Sequence, residues 1–299
     1  MQFFRDIDVY VHYNSNYYKI RVMDVSFNQT FKQRGSKQKT LHDTAALIEA
    51  SEINEANPAN FDMQILMIDE SSRYQHIPIQ LLLTNSGDTL QTFDLYIDAS
   101  NADESSRKMY KLSTCVLESG AFEMNRRQAL SVSFSGSASK LERVDYSSFS
   151  VGSFDTTPTY SFPNVTKITV DGTVLEDVIG VTLEVQNKIS WTKNNTIQSS
   201  LEATSATNST YPASFVLSGR EVAGNITTYI GSQVSNIQTW KENILVKIQT
   251  GLTASNYQLE ADLTPCSFTN RINPSEVFSQ AYDFRMIGSP TNLNSLFTY

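Results

Sequence analysis

The sequence has few of the residues and motifs that carry chemistry. Its 299 residues include three histidines and two cysteines, and no histidine has a carboxylate or a cysteine at metal-ligand spacing. HExxH and CxxC pairs, a GxSxG elbow, a GxGxxG loop and a Walker A lysine loop are all absent. We therefore predict no catalytic function, no metal site and no cofactor.

Long apolar runs and basic charge are also scarce. No apolar stretch approaches the roughly 18 residues of a membrane span, and the start lacks a signal-peptide pattern, so neither membrane insertion nor Sec export is expected. Lys and Arg number 23 against 31 Asp and Glu, which gives a formal net charge of −8. This balance argues against a protein that grips nucleic-acid phosphates. Cys115 and Cys266 are expected to be reduced, half-buried thiols.

Alternating apolar residues predict strands throughout the chain, and several of these segments occur twice in the same order. Tyr110–Val116 matches Tyr257–Leu263 at every second residue, which is the period of a β-strand. Phe93–Ile97 matches Ile244–Ile248. Three more pairs agree: the hairpins of residues 7–27 and 165–185 around Asn14–Asn16 and Asp171–Thr173, the segments 57–61 and 211–215, and the closing runs 130–137 and 282–289.

The repeat divides the chain into two modules, residues 1–145 and 163–299, with residues 146–162 as a connector along the protein surface. The length suits two domains of roughly 100–200 residues each. The alternative is that strand-rich sequences resemble one another by chance, and five matches in the same order weigh against it.

Residues 29–56 form a long charged segment within the first module. Its basic part has the composition of an exposed loop or hairpin tip, and residues 44–56 are predicted to form a short helix capped by Thr44. The segment is either a mobile solvated loop or an interaction arm whose charges meet a partner copy. Its charged residues are Lys32, Arg34, Lys37 and Lys39, followed by Glu49, Glu52 and Glu55.

Other segments carry local predictions. Residues 61–68, 77–84, 93–98 and 222–229 are predicted strands, and Pro78 favours an edge position for the second. Residues 232–242 are predicted to form a short helix that contains Trp240. The polar tail, residues 290–299, is predicted to be either a docked or a mobile extension.

A tandem pair of all-β modules, each with an opening hairpin, a charged arm, a short helix and closing strands, resembles the tail tube fold of tailed bacteriophages. Thr182–Asn187 and Phe215–Arg220 are among the segments that carry the resemblance. It implies a mainly β fold of two tandem tube-like sandwich or barrel modules, each with a short helix and a long loop or hairpin arm. In that family the sheets of six modules join into a barrel around a lumen.

The resemblance also implies a function, that of a structural virion protein forming a ring of the tail tube or baseplate hub around a lumen for DNA passage. Two modules per chain imply a homotrimer with pseudo-sixfold symmetry, and a hexamer is the alternative. The implied partners are neighbouring tail tube, baseplate or tape-measure proteins, with DNA only as transiting cargo. Assembly into the phage tail would take place in the host bacterial cytoplasm.

The same resemblance assigns two sets of site residues. The charged residues of the arm would contact the adjacent ring. Polar residues of the closing strands would suit a wet lumen wall, although an ordinary solvent face explains them equally well; they are Ser131, Ser133, Asp283 and Arg285.

Two other functions fit the sequence. A receptor- or carbohydrate-binding protein made of two β-sandwiches would also be acidic and rich in Ser, Thr and Asn. A tube component of a bacterial contractile-injection or secretion system would share the tube fold.

Overall fold

The computed structural model describes residues 6–38, 48–67, 74–86, 89–100, 108–125, 128–146, 149–150, 165–192, 211–229, 240–253, 256–273, 279–288 and 293–299. These form one short helix, α1 (Ile77–Leu83), two 3-10 turns and nineteen strands. The strands are β1 (Asp6–Tyr13), β2 (Asn16–Ile20), β3 (Val22–Asn28), β4 (Phe31–Gln38), β5 (Ile48–Ala56), β6 (Ala59–Leu66), β7 (Asn85–Ser86), β8 (Thr89–Leu90), β9 (Phe93–Ser100), β10 (Lys108–Asn125), β11 (Ser131–Asp145), β12 (Val165–Val170), β13 (Thr173–Leu175), β14 (Val178–Thr192), β15 (Ser214–Tyr229), β16 (Trp240–Thr253), β17 (Asn256–Asn273), β18 (Ser279–Met286) and β19 (Phe297–Thr298).

Fifteen of these strands pair into one antiparallel sheet, while β4 and β5 form a separate hairpin and β7 pairs with β8. The first half of the chain contributes neighbours in the order β2, β1, β9, β10, β11, β6, β3. The second half contributes β13, β12, β16, β17, β18, β15, β14, and the short β19 pairs with β17 as the fifteenth strand. The two groups meet where β10 pairs with β14. The prediction of a mainly β fold is confirmed.

Local irregularities also recur in the two groups. The opening hairpins turn on two residues with positive φ, Asn14 and Ser15 in one and Asp171 and Gly172 in the other, which suits the right-handed twist of the strands. A bulge in β10 shifts the β9–β10 register between Leu112 and Cys115. A bulge in β17 shifts the β16–β17 register in the same way between Leu263 and Cys266.

The two cysteines lie at these bulges and occupy matching environments. Cys115 Sγ lies 3.3 Å from Leu112 O, and Cys266 Sγ lies 3.5 Å from Leu263 O. Both thiols are free and buried, deeper than the half-buried positions expected from the sequence. Burial raises the pKa of Cys266 to about 12 and that of Cys115 well above its ordinary value, so neither forms a thiolate near neutral pH.

A single hydrophobic cluster runs under both groups of strands. The C-terminal tail is docked onto it: Leu293 and Phe297 are buried, and the Phe297 ring stacks near Phe122 of β10 with 6.4 Å between centroids. Of the connector, residues 146 and 149–150 are described, and Phe149 stacks on Tyr17 at 4.3 Å.

A phenylalanine packs over a glycine on the strand directly opposite in each group. Phe61 of β6 lies opposite Gly136 of β11, and Phe284 of β18 lies opposite Gly224 of β15. A Cβ atom on either glycine would come within 2.5 Å of the ring and of a backbone carbonyl. Only glycine therefore fits below each ring without movement of the backbone.

We expect Gly136→Ala and Gly224→Ala each to lower the free energy of unfolding by about 1–3 kcal/mol, because the methyl group overpacks the core. Gly219→Ala is the matched control, since Gly219 lies on the same strand as Gly224 and has open space around its Cβ position. Urea denaturation of the three variants measures the difference. Equal stability of Gly224→Ala and Gly219→Ala would contradict this description of the core.

Three local predictions are wrong. Residues 48–56 form strand β5 rather than a helix, because they pair along β4 and align opposite charges across the hairpin. Residues 77–83 form helix α1 rather than a strand. Pro78 is favourable in a first helical turn, and a short apolar run does not by its period distinguish a buried helix from a strand. Trp240 begins strand β16 instead of lying within a helix of residues 232–242.

Some predictions fall outside the described residues or change in register. Residues 44–47 and 232–239, and most of the connector, lie outside the described part of the chain. Phe93–Ile97 and Ile244–Ile248 hold equivalent pairing positions with the spacing read from the sequence. Tyr110–Val116 and Tyr257–Leu263 lie on β10 and β17. The strand pairing, however, makes Leu263 the counterpart of Leu112, four residues beyond the counterpart given by the sequence match.

Candidate assembly surfaces

Polar side chains cover the face of the large sheet that is opposite the hydrophobic core. They alternate with buried residues along each strand, as expected where one face of a sheet is solvated. Three rows of directly opposed residues cross the junction between the two groups, and we call them the polar face. The rows are Asp24, Gln64, Ser133, Ala121, Glu184, Ala223, Arg285 and Ser267; Ser26, Asp62, Ser135, Ser119, Gln186 and Glu221; and Ser131, Glu123, Thr182, Asn225, Asp283 and Thr269.

The polar face unites all four residues that the sequence suggested for a lumen wall. Ser133 and Arg285 share the first row, and Ser131 and Asp283 share the third. The three rows hold six carboxylates and one arginine. The polar face is therefore acidic, and its neutral residues are mainly serine, threonine and amides.

Within the described ranges, two arginines of the second half of the chain form ion pairs with carboxylates of the polar face. Arg285 bonds Glu221 at 3.0 Å, and Arg271 bonds Asp283 at 2.7 Å. In the first half, Ser119 and Ser135 hydroxyls lie 2.6 Å apart. These ion pairs are largely exposed, so their contribution to stability is small.

The predicted arm is the β4–β5 hairpin. Its cross-strand register places Lys32 opposite Glu55, Arg34 opposite Glu52, and Lys37 opposite Glu49. Lys32 Nζ lies 3.2 Å from Glu55 Oε1. Basic positions of β4 are therefore opposite acidic positions of β5 in the backbone register, and Lys39 lies outside the described residues.

The base of the arm is held by two amide side chains. Gln29 Nε2 donates to Asn57 O at 2.9 Å and to Ser139 O at 3.2 Å, while its Oε1 accepts from Leu141 N at 2.9 Å. Asn57 Nδ2 donates to Thr30 Oγ1 at 2.8 Å. The hairpin thus emerges from a fixed point beside β11.

A buried arginine ties the two groups of strands together. Arg220 of β15 donates from Nη2 to Leu82 O at 2.7 Å and to Leu83 O at 3.0 Å, both at the C-terminal end of α1. Its Nε donates to Asn187 Oδ1 at 2.8 Å. Asn187 Nδ2 in turn donates to Leu82 O at 3.2 Å and to Leu117 O at 2.9 Å.

The positive charge of Arg220 suits the end of the helix, where carbonyl groups lack partners within the helix. Desolvation by burial lowers the pKa of Arg220 to about 10, so the guanidinium remains charged at neutral pH. We call Arg220, Asn187 and the carbonyls they contact the junction latch. Sequence reasoning missed it, although a lone Arg in an otherwise alternating strand segment was the available signal.

Large exposed side chains lie on the edge strand β3, at the start of the separate β4–β5 hairpin and at the start of β16. Met23 on β3 is 60% exposed, Phe31 at the start of β4 is 44% exposed, and Trp240 at the start of β16 is 65% exposed. On β3, Val25 and Phe27 are only partly buried. Such residues are enriched where protein surfaces meet other chains.

Other kinds of site are not apparent in the part of the chain that the structure describes. No group of three or more His, Cys, Asp or Glu residues there is arranged to hold a metal ion. Within the same residues, no helix has both the length and the hydrophobicity needed to cross a bilayer.

A continuous antiparallel sheet with an edge strand that no further described strand covers is the architecture of a protein that can extend its sheet onto another chain. Comparison with protein families is consistent with a protein that assembles by extending its sheet onto another chain. Residues 1–297 match the Bacteriophage Baseplate Tube Protein Family, and the chain belongs to this family. The resemblance to tail tube and baseplate proteins is confirmed, and the role of the chain is that of a structural tail tube or baseplate component of a virion-like particle.

Solved structures of low sequence identity are also similar. A chain of the PVC extracellular contractile injection system, from the sheath–tube complex in the extended state, is 9% identical over 47% of this chain and 88% of its own length, with a TM-score of 0.37. A chain of the anti-feeding prophage baseplate is 12% identical over 48% and 96%, with a TM-score of 0.36. A PVC sheath/tube terminator chain is 11% identical over 48% and 95%, with a TM-score of 0.36. No significant match was found among curated proteins.

Proposed function

We propose that three copies of this chain form a ring of a tail tube or baseplate hub, with two tube modules per chain and the polar face lining a lumen. The family assignment supports the structural role. The observation that carries the proposal is the strand order: seven strands of the first half and seven of the second follow one another in the same order, and β19 is the one addition among the described strands.

The two halves, residues 1–145 and 163–299, are proposed to be duplicated modules. Support comes from the matching strand order and from the bulges that precede Cys115 and Cys266. In this arrangement the β10–β14 junction is a module–module contact held within one chain. The junction latch then fixes one module against the next.

A lumen lined by the polar face would suit the passage of DNA. Six carboxylates against one arginine repel phosphates, so the acidic wall would keep DNA from binding to it during passage. The proposed partners are neighbouring tube, baseplate or tape-measure proteins, with assembly in the host cytoplasm. The β4–β5 arm is proposed to reach the adjacent ring.

Stoichiometry tests this proposal. If one module supplies one sixth of a ring, closure with two modules per chain requires three chains. Native mass spectrometry is expected to show a trimer as the smallest closed assembly. A hexamer would instead mean twelve modules, and a stable monomer that binds glycans on an array would favour a receptor-binding protein.

A further inference from the structure

The β10–β14 pairing within the chain suggests how two copies can pair: the edge strand of one copy lies along the open part of a longer strand in the other. In the junction, β14 pairs with the second half of β10, beyond the end of β9. By strand order, β3 is the counterpart of β14, and β17 is the counterpart of β10. We propose that β3 of one copy pairs antiparallel with Asn270–Asn273 of β17 in a second copy, a step that rests on the proposed ring.

The described pairings leave both of these edges available. The partner of β3 among the described strands is β6. On the β16 side of β17, pairing reaches Thr269, opposite Trp240, and no described strand continues it along Asn270–Asn273. These four residues pair with β18 on their other side.

The register of the proposed contact follows from equivalent positions. Val178 lies 156 residues after Val22, and each precedes a bulge in its strand pair, so Leu183 corresponds to Phe27. Leu263 lies 151 residues after Leu112. Between Leu117 and Ser119, β10 has one extra residue in a bulge. Past this bulge, each residue of β17 therefore lies 150 positions after its counterpart in β10.

Transferred in this way, the internal pairs predict the pairs between copies. The internal pair Phe122–Leu183 corresponds to Ile272 of one copy opposite Phe27 of the other, and both are apolar pairs. Ala121 opposite Glu184 becomes Arg271 opposite Asn28.

Burial supports a second copy as the occupant. Val181 and Leu183 of β14 are 1% and 0% exposed beside β10, whereas the corresponding Val25 and Phe27 of β3 are only partly buried. In the proposed register the segment lies opposite Phe27 and would cover it as β10 covers Leu183. The same register brings the exposed Phe31 of one copy towards the exposed Trp240 of the other.

Disulfide trapping tests the register directly in the full-length chain. Asn28→Cys combined with Arg271→Cys is expected to give covalent dimers and trimers after mild oxidation, seen on a non-reducing gel. The native thiols are buried and take no part. Ala121→Cys combined with Glu184→Cys is the matched positive control, since these residues form the equivalent pair within one chain and should close without joining copies.

A one-residue shift provides the negative control. Asn28→Cys with Ile272→Cys places the two thiols on opposite faces of the sheet, because side chains alternate along a strand, and at least a tenfold lower yield of joined chains is expected. Trp240→Ser should also reduce the yield of the Asn28–Arg271 bond about tenfold if the indole packs in the contact. Ile287→Ser, which alters another exposed apolar residue outside both edges, should leave it unchanged.

The outcomes separate this inference from the ring itself. Trimers in native mass spectrometry without the Asn28–Arg271 bond would overturn the strand pairing while the ring stands. Joined chains in the predicted register would support both. A chain that remains monomeric at high concentration and gives no joined copies would overturn both.

Discussion

Arg220→Met is expected to lower the free energy of unfolding by about 3 kcal/mol, the largest loss that we predict for a single substitution. The change leaves the carbonyl of Leu83 and Oδ1 of Asn187 without the donors that the guanidinium supplies. Each buried polar group left unsatisfied costs about 1–3 kcal/mol. Methionine retains most of the side-chain length, so loss of packing contributes little.

Lys188→Met is the matched control on the neighbouring strand. Lys188 is an exposed cation that lies 3.3 Å from Glu221, and exposed ion pairs contribute about 0–1 kcal/mol. Urea unfolding at a concentration below that of assembly compares the two variants. Similar losses for Arg220→Met and Lys188→Met would show that the junction latch does not hold the two halves together.

Reversal of the arm's basic residues is expected to have the largest effect on assembly. The variant Lys32→Glu, Arg34→Glu, Lys37→Glu, Lys39→Glu should leave the large sheet folded and abolish stacking of one ring on another. The first three substitutions place glutamates opposite Glu55, Glu52 and Glu49, and directly opposed like charges destabilise a hairpin. Negative-stain images of tubes and circular dichroism of the subunit measure the two effects separately.

A charge-swapped arm determines which effect matters. Adding Glu49→Lys, Glu52→Lys and Glu55→Lys to the reversed arm restores opposite charges across the hairpin while inverting the charge seen by a partner. If the arm contacts the next ring through its charges, stacking stays blocked. If the charges serve the hairpin alone, stacking returns, and the proposal of a charge-mediated contact between rings fails.

The sequence was most informative where a period of two continued over many residues. The opening hairpins around Asn14–Asn16 and Asp171–Thr173 were predicted with their turns, since turn residues with positive φ leave a clear signal. The match of Phe93–Ile97 with Ile244–Ile248 also holds in the paired strands. Ser131 and Asp283 were chosen as polar alternates of two closing strands, and they lie in one row of the polar face.

Long-range pairing explains what local patterns did not predict. Residues 48–56 have helical spacing and helix-forming glutamates, yet pairing with β4 makes them a strand. Residues 77–83 form a helix whose apolar side chains pack into the hydrophobic core against β10, a context that their own sequence does not contain. The junction latch joins Arg220 to carbonyls more than 130 residues away, and backbone carbonyl acceptors leave no trace in a sequence.

A cryo-EM map of the assembled ring tests the central claim most directly. We expect three chains that supply six similar lobes, one continuous sheet around a lumen, and the polar face with Ser133, Glu184 and Arg285 turned towards that lumen. Six chains in one ring, or a ring in which the polar face lies on the outer surface, would contradict the claim.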